Sequence, residues 1–526
     1  MITETARPEV AAPARAVARR PLRLVMVAAA LLVAAGLVLR FWTRSHLWFD
    51  EALTVNIASL PLRRIPAALR HDGAPPVYYV LLHVWIRLFG TSAFAVRAMS
   101  GLFAAATLPA MWFAGRRIAP PSDKRVVGVV AVVLLATSPF AIRYATETRM
   151  YSLVVLLVVL GYLALARILE RDQPRGSDVV AFAVICGLLL LTHYWSLYLL
   201  AVVAVTLGVQ ALRAAPARRH RYRVAFVALA AGSLLFVPWL PSFWFQLRHT
   251  GTPWSDPATF GAMVNAISEF AGGRSSSGRA LGLAFFALAG FGLFGAAVDR
   301  TKVEVDLRTR PRGRGLAIVV AGTLAIAIVA GFASGGAFAA RYAAVVFPPF
   351  LLLVALGTAV FLDRRILGAV VTAAAVLDLI TASGNVRDTR SQAGEIAATL
   401  RAQFKSGDVI GYCPDQLGPS TSRLLPASYA QVTFPRRTGP RFVDWVDYAK
   451  VNESADPGAF ARLLDATAGP HHTVWLVWAR QYRTFGAECE QIASYLGLVR
   501  PGANQLMEAD TQHFYESANL VQFPPR

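Results

Sequence analysis

The chain has 526 residues, with 52 Lys and Arg against 31 Asp and Glu, 56% hydrophobic residues and 16% charged ones. Soluble domains carry about 25% charged residues, so this composition excludes an ordinary soluble protein. The residues after 385 hold 14 basic and 14 acidic side chains, so the whole surplus of +21 lies in the hydrophobic part; that is the footprint of membrane-flanking Arg and Lys and does not point to nucleic acid.

In chain order, a basic N-terminal tail of residues 1–22, expected to be cytoplasmic, leads into a first apolar run that reads as a retained anchor, since no small-residue cleavage site stands out. Apolar runs fall at roughly 24–42, 95–115, 126–142, 150–168, 178–192, 194–212, 222–244, 277–298, 315–334, 342–361 and 366–383. They predict a polytopic α-helical membrane domain over 23–385 with about eleven transmembrane helices. A shorter run, 76–89, decides the parity of every later loop. If it does not cross, the loops bearing Arg116 and Arg117, Arg171 and Arg175, Arg218 and Arg219, Arg308 and Arg310, and Arg364 and Arg365 share the cytoplasmic face with the basic tail. If it crosses, all of them break the positive-inside rule. It is therefore expected to be an interfacial or partly re-entrant helix on the outer face. The other loops then face outward, led by the candidate catalytic loop 43–94, and the stretches at mid-membrane depth are expected to be apolar.

From residue 386 to 526 the composition changes to that of a small extracytoplasmic α/β domain, with helices expected at 395–404 and 484–496 and buried strands at 408–413 and 473–478. Cys186, inside an apolar run, reads as a small core residue. Cys413 and Cys489 form a disulfide if the tail meets an oxidising compartment; the alternative is two buried thiols.

The chemistry-bearing residues collect in the outer loops. Trp48-Phe49-Asp50-Glu51 places adjacent carboxylates at a membrane boundary, where charge persists when solvated, paired or functional. Asp50 either caps the following helix or sits in a semi-apolar pocket. Next comes Arg70-His71-Asp72-Gly73-Ala74-Pro75-Pro76-Val77-Tyr78-Tyr79, a substrate-facing polar turn or, through His71 and Asp72, part of a divalent metal site. Glu147 and Arg149 flank the start of a span as site residues or as a structural ion pair. His193-Tyr194-Trp195 and Pro238-Trp239-Leu240-Pro241 lie at outer span ends, where an aromatic belt accounts for the Trp residues. Arg341 has no such account, because an outer-face guanidinium owes nothing to the positive-inside rule and suits a phosphate. Gly290-Phe291-Gly292-Leu293-Phe294-Gly295 fits a dinucleotide fingerprint only in its letters and reads as close helix packing.

Taken together, Trp48-Phe49-Asp50-Glu51, His71-Asp72-Gly73-Ala74-Pro75-Pro76-Val77-Tyr78-Tyr79, Phe89-Gly90-Thr91-Ser92 with Arg97, Glu147-Thr148-Arg149-Met150-Tyr151, His193-Tyr194, Pro238-Trp239-Leu240-Pro241 and Arg341-Tyr342 form a recognisable series. In this order the series resembles the bacterial GT-C glycosyltransferases related to protein O-mannosyltransferases and lipid A aminoarabinose transferases. The resemblance covers about 20–385 and implies a mannosyltransferase-like enzyme of the plasma membrane. Such an enzyme moves a sugar from a polyprenyl-phosphate donor to a glycan, lipid or protein acceptor on the outer face. The first-loop acid of that family matches Asp50, the expected general base of an inverting transfer, with Glu51 and Glu147 as further catalytic candidates. Arg149 and Arg341 become donor-phosphate contacts, and His71, Asp72, Tyr78, Tyr151 and His193 substrate contacts. The aminoarabinose transferases carry Lys where this chain has Ala74, which leaves one phosphate contact unassigned. No cofactor is implied with certainty, and a divalent metal stays open. A polytopic transporter or lipid flippase is the rival reading, disfavoured because the polar groups gather on one side rather than at mid-membrane.

Overall fold

The structure, a computed structural model, describes residues 19–251, 259–271, 276–334, 338–480, 482 and 484–526. The basic tail as far as residue 18 lies outside the described residues. Six helices are long and apolar enough to cross a membrane: Ala93–Ile118, Tyr151–Glu170, Ser196–Arg213, Pro216–His249, Pro311–Ala333 and Arg364–Arg387. A seventh candidate is a pair, Lys124–Thr137 and Pro139–Ala145, bent by 56°. Shorter apolar helices are Val25–Leu39, Val77–Phe89, Gly176–Leu190, Gly278–Phe294 and Phe347–Val360. Each expected span falls on one of these, and the helix left over is Val77–Phe89. Its 13 residues cover about 20 Å at ~1.5 Å per residue, short of the ~30 Å hydrocarbon core. Before it, Gly73 at φ 82° stops the helix Ile65–Asp72 in a left-handed cap just ahead of the two prolines.

The bent pair has a local cause. Ser138 ends one helix and caps the next by accepting from the Ala141 N–H, and Pro139 cannot continue the hydrogen-bond ladder. Carbonyls exposed at the break are taken up by Arg40, which donates to Leu135 O and Ala136 O. Asp378 accepts from the Thr137 hydroxyl at 3.1 Å nearby, and both Arg40 and Asp378 are buried. The expected uniform apolarity of the spans is thus corrected at this bend, where polar side chains complete an interrupted backbone. Within the glycine triplet at 290–295 the close helix contact is at Gly292, where a Cβ would lie 2.5 Å from Leu353 O, while Gly290 faces open space; on the facing helix a Cβ at Gly357 would lie only 1.7 Å from Leu288 O.

The arginine-bearing loops share one end of the helical bundle. Arg364 pairs with Asp123 at 2.7 Å, Arg117 with Glu170 at 3.2 Å, and Arg221 with Asp172. The opposite end carries the loop helices Phe49–Ala58 and Ile65–Asp72 and is covered by the C-terminal domain.

After a short antiparallel hairpin, β1 (Gly295–Ala297) and β2 (Val303–Val305), the remaining strands all lie in the tail. They are β3 (Val409–Cys413), β4 (Ala430–Thr433), β5 (Val474–Trp478), β6 (Asn504–Met507) and β7 (Asn519–Phe523). They form one sheet in the order β4-β3-β5-β7-β6, parallel where β3 meets β4 and β5, and antiparallel across β5, β7 and β6. Strand alternation feeds two cores. Ile410, Tyr412, Trp475 and Val477 pack with Ile396 and Leu400 of helix Ala393–Gln403, while Val409, Cys413, Val474 and Leu476 pack with Leu464 and Ile492 on the other face. Both faces of β3 and β5 are therefore covered, which is why they read as unbroken apolar runs. Cys413 and Cys489 are bridged, tying β3 to helix Glu488–Val499.

The domain is stitched to the membrane part by its connector. Arg390 donates to both the carbonyl and the hydroxyl of Thr146 at 2.7 Å, and its backbone N–H donates to the Ser45 hydroxyl at 2.8 Å. Farther along, Trp445 N–H donates to His71 O at 3.0 Å and Asp447 N–H to His249 O at 2.8 Å.

Candidate active site

Helix Phe49–Ala58 places Asp50 and Glu51 about 100° apart around its axis, and this angular step separates their fates. Asp50 does not cap the helix, whose cap position is Trp48. It instead faces a cavity of about 950 Å³ between the bundle end and the C-terminal domain. Glu51 turns inward, is fully buried, and accepts from Arg97 Nε at 2.7 Å and from the Thr148 N–H at 2.9 Å, with Arg390 at 4.0 Å. Burial pushes its carboxyl up, but Arg97, Arg390 and the Thr148 N–H together outweigh that and lower it from its usual value. Glu51 thus ties the loop of Asp50 to that of Thr148 as a structural node and lies outside the cavity lining.

Glu147 is held in a similar way. It lies outside the cavity lining, buried, with Arg143 Nε at 3.5 Å, and burial raises its carboxyl against the pull of Arg143 and Arg390. Arg149 does not pair with it. The Arg149 side chain crosses to the first loop, with Nε 3.9 Å from Asp50 and Nη1 donating to the Thr54 hydroxyl at 2.9 Å. Burial works against its charge, yet Asp50 and the surrounding phenols and Asp72 hold the guanidinium well above its usual value.

Asp50, Asp72, Arg149, Tyr151, His193 and Arg341 all line the cavity. Asp72 accepts from the Tyr79 hydroxyl at 2.7 Å, and burial raises its carboxyl, with Arg149 opposing. His193 accepts from the Trp195 N–H through Nδ1 at 3.2 Å. Burial, then Arg149 and Arg341, push its imidazole down to about 3, so the ring is neutral at physiological pH. Arg341 lies over the Tyr342 ring, 5.5 Å from its centroid, and stays charged because Tyr151, Tyr342 and Asp50 together outweigh its burial. The Tyr151 hydroxyl is buried and finds no hydrogen-bond partner among the described residues. Two expected contacts fall elsewhere: His71 is half-exposed and pairs with Asp444 at 2.9 Å, and Tyr78 is buried against the Ser100 hydroxyl at 3.0 Å. His71 and Asp72 diverge, and among the described residues no three His, Cys, Asp or Glu side chains converge as metal ligands would.

Sequence reasoning missed the second wall. The C-terminal domain supplies Gln416, Trp445, Asp447, Lys450, Tyr482 and Glu516. The run Phe442–Lys450, rich in aromatics and acids within an irregular segment, was the one available signal. Gln246 was missed as well. It donates to Leu69 O at 2.7 Å and accepts from the Tyr194 hydroxyl, which in turn accepts from Trp239 Nε1 at 2.9 Å, so Trp239 belongs to a hydrogen-bond chain rather than a lipid belt.

Two buried carboxyls of the C-terminal domain give a pH prediction. Burial lifts Glu516 and Asp415 to about 7, against hydrogen bonds from Ser420 and from Tyr448 respectively. Both folded-state values exceed the unfolded ones, so the native protein retains protons that the unfolded chain has released. Their contribution is full below about pH 4 and lost as pH rises through about 7. Thermal unfolding should show a midpoint that falls between about pH 5 and about pH 7.5, and Asp415→Asn with Glu516→Gln should flatten that slope. A midpoint that climbs across the window would contradict the assignment.

Comparison with known proteins agrees with this architecture. Residues 73–241 match the family described as dolichyl-phosphate-mannose-protein mannosyltransferase. The structure of ArnT from Cupriavidus metallidurans bound to undecaprenyl phosphate is 14% identical, covers 96% of this chain and 98% of its own, and superposes with a TM-score of 0.56. The apo form of the same protein gives 14% identity, 95% and 98% coverage, and a TM-score of 0.58. No curated protein sequence matches. The chain therefore has the fold of the GT-C membrane glycosyltransferases, as the series of outer-loop motifs implied.

Proposed function

We propose that the protein transfers a sugar, of mannosyl type, from a polyprenyl-phosphate carrier to a hydroxyl of a cell-envelope glycan, lipid or protein at the outer face of the plasma membrane. One observation chiefly supports this reading: a single cavity is lined at once by Asp50, Arg149 and Arg341. The undecaprenyl phosphate bound to ArnT and the dolichyl-phosphate mannose in the name of the matched family favour the same donor chemistry.

In this reaction the bond between the anomeric carbon and the phosphate oxygen breaks as the acceptor oxygen attacks. The acceptor's proton passes to Asp50, and polyprenyl phosphate leaves as a stable anion that needs no strong general acid. Arg149 and Arg341 carry the developing phosphate charge. One attacking base and no covalent step give inversion; retention would require a second, nucleophilic carboxylate at the anomeric carbon. Neutral His193 and the unpaired Tyr151 hydroxyl suit contacts to sugar hydroxyls. Purified protein supplied with radiolabelled polyprenyl-phosphate mannose and native membrane acceptors should release polyprenyl phosphate and label the acceptor. Movement of intact donor across the bilayer without cleavage would instead support a flippase.

The outward placement of the site and of residues 386–526 rests on the charge of the loops, whose arginine clusters share the opposite end of the bundle. Single cysteines at exposed Ser92, Ser177 and Thr301, on a background without native cysteines, test it. An impermeant thiol reagent should label Ser92→Cys in intact cells and spare the other two. The reverse pattern would invert the topology. Ser45 is unsuitable for labelling because it is buried against Arg390, and Ser255 lies outside the described residues.

A further inference from the structure

A helix leaves its first N–H groups without acceptors, and a Ser, Thr, Asp or Asn at the cap position normally supplies one. The helix Phe49–Ala58 has Trp48 at that position, with no side-chain cap. Its first N–H, that of Phe49, is taken instead by Glu516 Oε2 at 2.7 Å, from 467 residues away in the sequence.

Glu516 is held firmly enough to act as a fixed point. Its other carboxylate oxygen accepts from the Ser420 hydroxyl. Its backbone N–H donates to Arg390 O and its carbonyl accepts from the Gln392 N–H, both at 2.9 Å. Arg390 in turn grips Thr146 and Ser45 in the outer loops. The N-terminus of the Asp50 helix is thus anchored by the C-terminal domain, while Glu51 anchors the same turn to Arg97.

We propose that Glu516 is a positioning residue for Asp50: by capping the helix whose second residue is Asp50, it makes the domain of residues 386–526 a working part of the active site. The proposal rests on the reading of Asp50 as the base. Glu516 also lines the cavity, so the competing role is that of proton acceptor itself.

The two roles differ in what an amide can replace. Glu516→Gln keeps an oxygen able to accept from the Phe49 N–H, whereas Glu516→Ala keeps none. In the purified full-length chain, Glu516→Ala should lower kcat about tenfold or more with donor KM within about threefold, as expected of a displaced base, and Glu516→Gln should recover most of the loss. Hydrogen exchange in the segment 47–53 should accelerate in the Ala variant and not in the Gln variant. Equal loss of kcat in both variants would overturn the proposal in favour of direct proton transfer, and unchanged kcat and exchange in Glu516→Ala would overturn it outright. If Glu516→Ala yields no folded protein, Ser420→Ala carries the same two measurements; a smaller change in the same direction supports the cap and no change overturns it. Asp50→Asn assayed in parallel separates the two readings. Turnover kept there removes the base assignment, whereas turnover lost there but kept in Glu516→Ala removes only the cap.

Discussion

Asp50→Asn is expected to lower sugar transfer by about 10²–10⁴-fold, the usual contribution of a general base, while leaving the protein folded. The substitution is nearly isosteric, opens no cavity and removes only the basic oxygen. Asp50 makes no cap, and Arg149 stands 3.9 Å from it, too far for a direct hydrogen bond. Asn keeps the packing but removes the counter-charge that Asp50 gives the buried Arg149 and Arg341, so a moderate fall in melting temperature should accompany the loss of turnover, and donor binding should survive. Arg341→Ala should behave differently, raising donor KM and lowering kcat together, because it touches phosphate both bound and departing. Turnover of Asp50→Asn above about a tenth of the parent value would remove Asp50 from the role of base.

The neighbouring carboxylate should give a different result. Glu51→Ala leaves Arg97 and Arg390 buried without their shared counter-charge and leaves the Thr148 N–H unpaired. Removing one partner of a buried ion pair costs about 3–5 kcal/mol, so this variant should show a marked fall in melting temperature or fail to accumulate. Glu51→Gln, which keeps oxygen and nitrogen in place, should be intermediate. A Glu51→Ala protein as stable as the parent would contradict the assignment of Glu51 as a structural node, whatever its activity.

This contrast shows what the sequence could and could not disclose. The motif Trp48-Phe49-Asp50-Glu51 located the site, yet which of two adjacent carboxylates faces the cavity depends on the rotational phase of a helix packed between Arg97 and the C-terminal domain, and spacing does not carry that phase. The same holds for Glu147 and Arg149, read together because they are neighbours in the chain; a turn between two helices sends one to Arg143 and the other to Asp50. Local patterns fared better. The helix expected at 395–404 forms at Ala393–Gln403, and the strands expected at 408–413 and 473–478 form at Val409–Cys413 and Val474–Trp478, since apolar runs flanked by polar turns are local signals. The helix expected at 484–496 forms at Glu488–Val499, displaced toward the C-terminus. The second wall of the cavity was illegible for a different reason: contacts such as Glu516 with Phe49 join residues that no local pattern relates.

A structure of the full chain with a polyprenyl-phosphate sugar bound tests the central claim most directly. The account predicts phosphate oxygens within hydrogen-bond reach of Arg149 and Arg341, with the anomeric carbon turned toward Asp50. A phosphate seated away from both arginines, or an anomeric carbon facing away from Asp50, would contradict it.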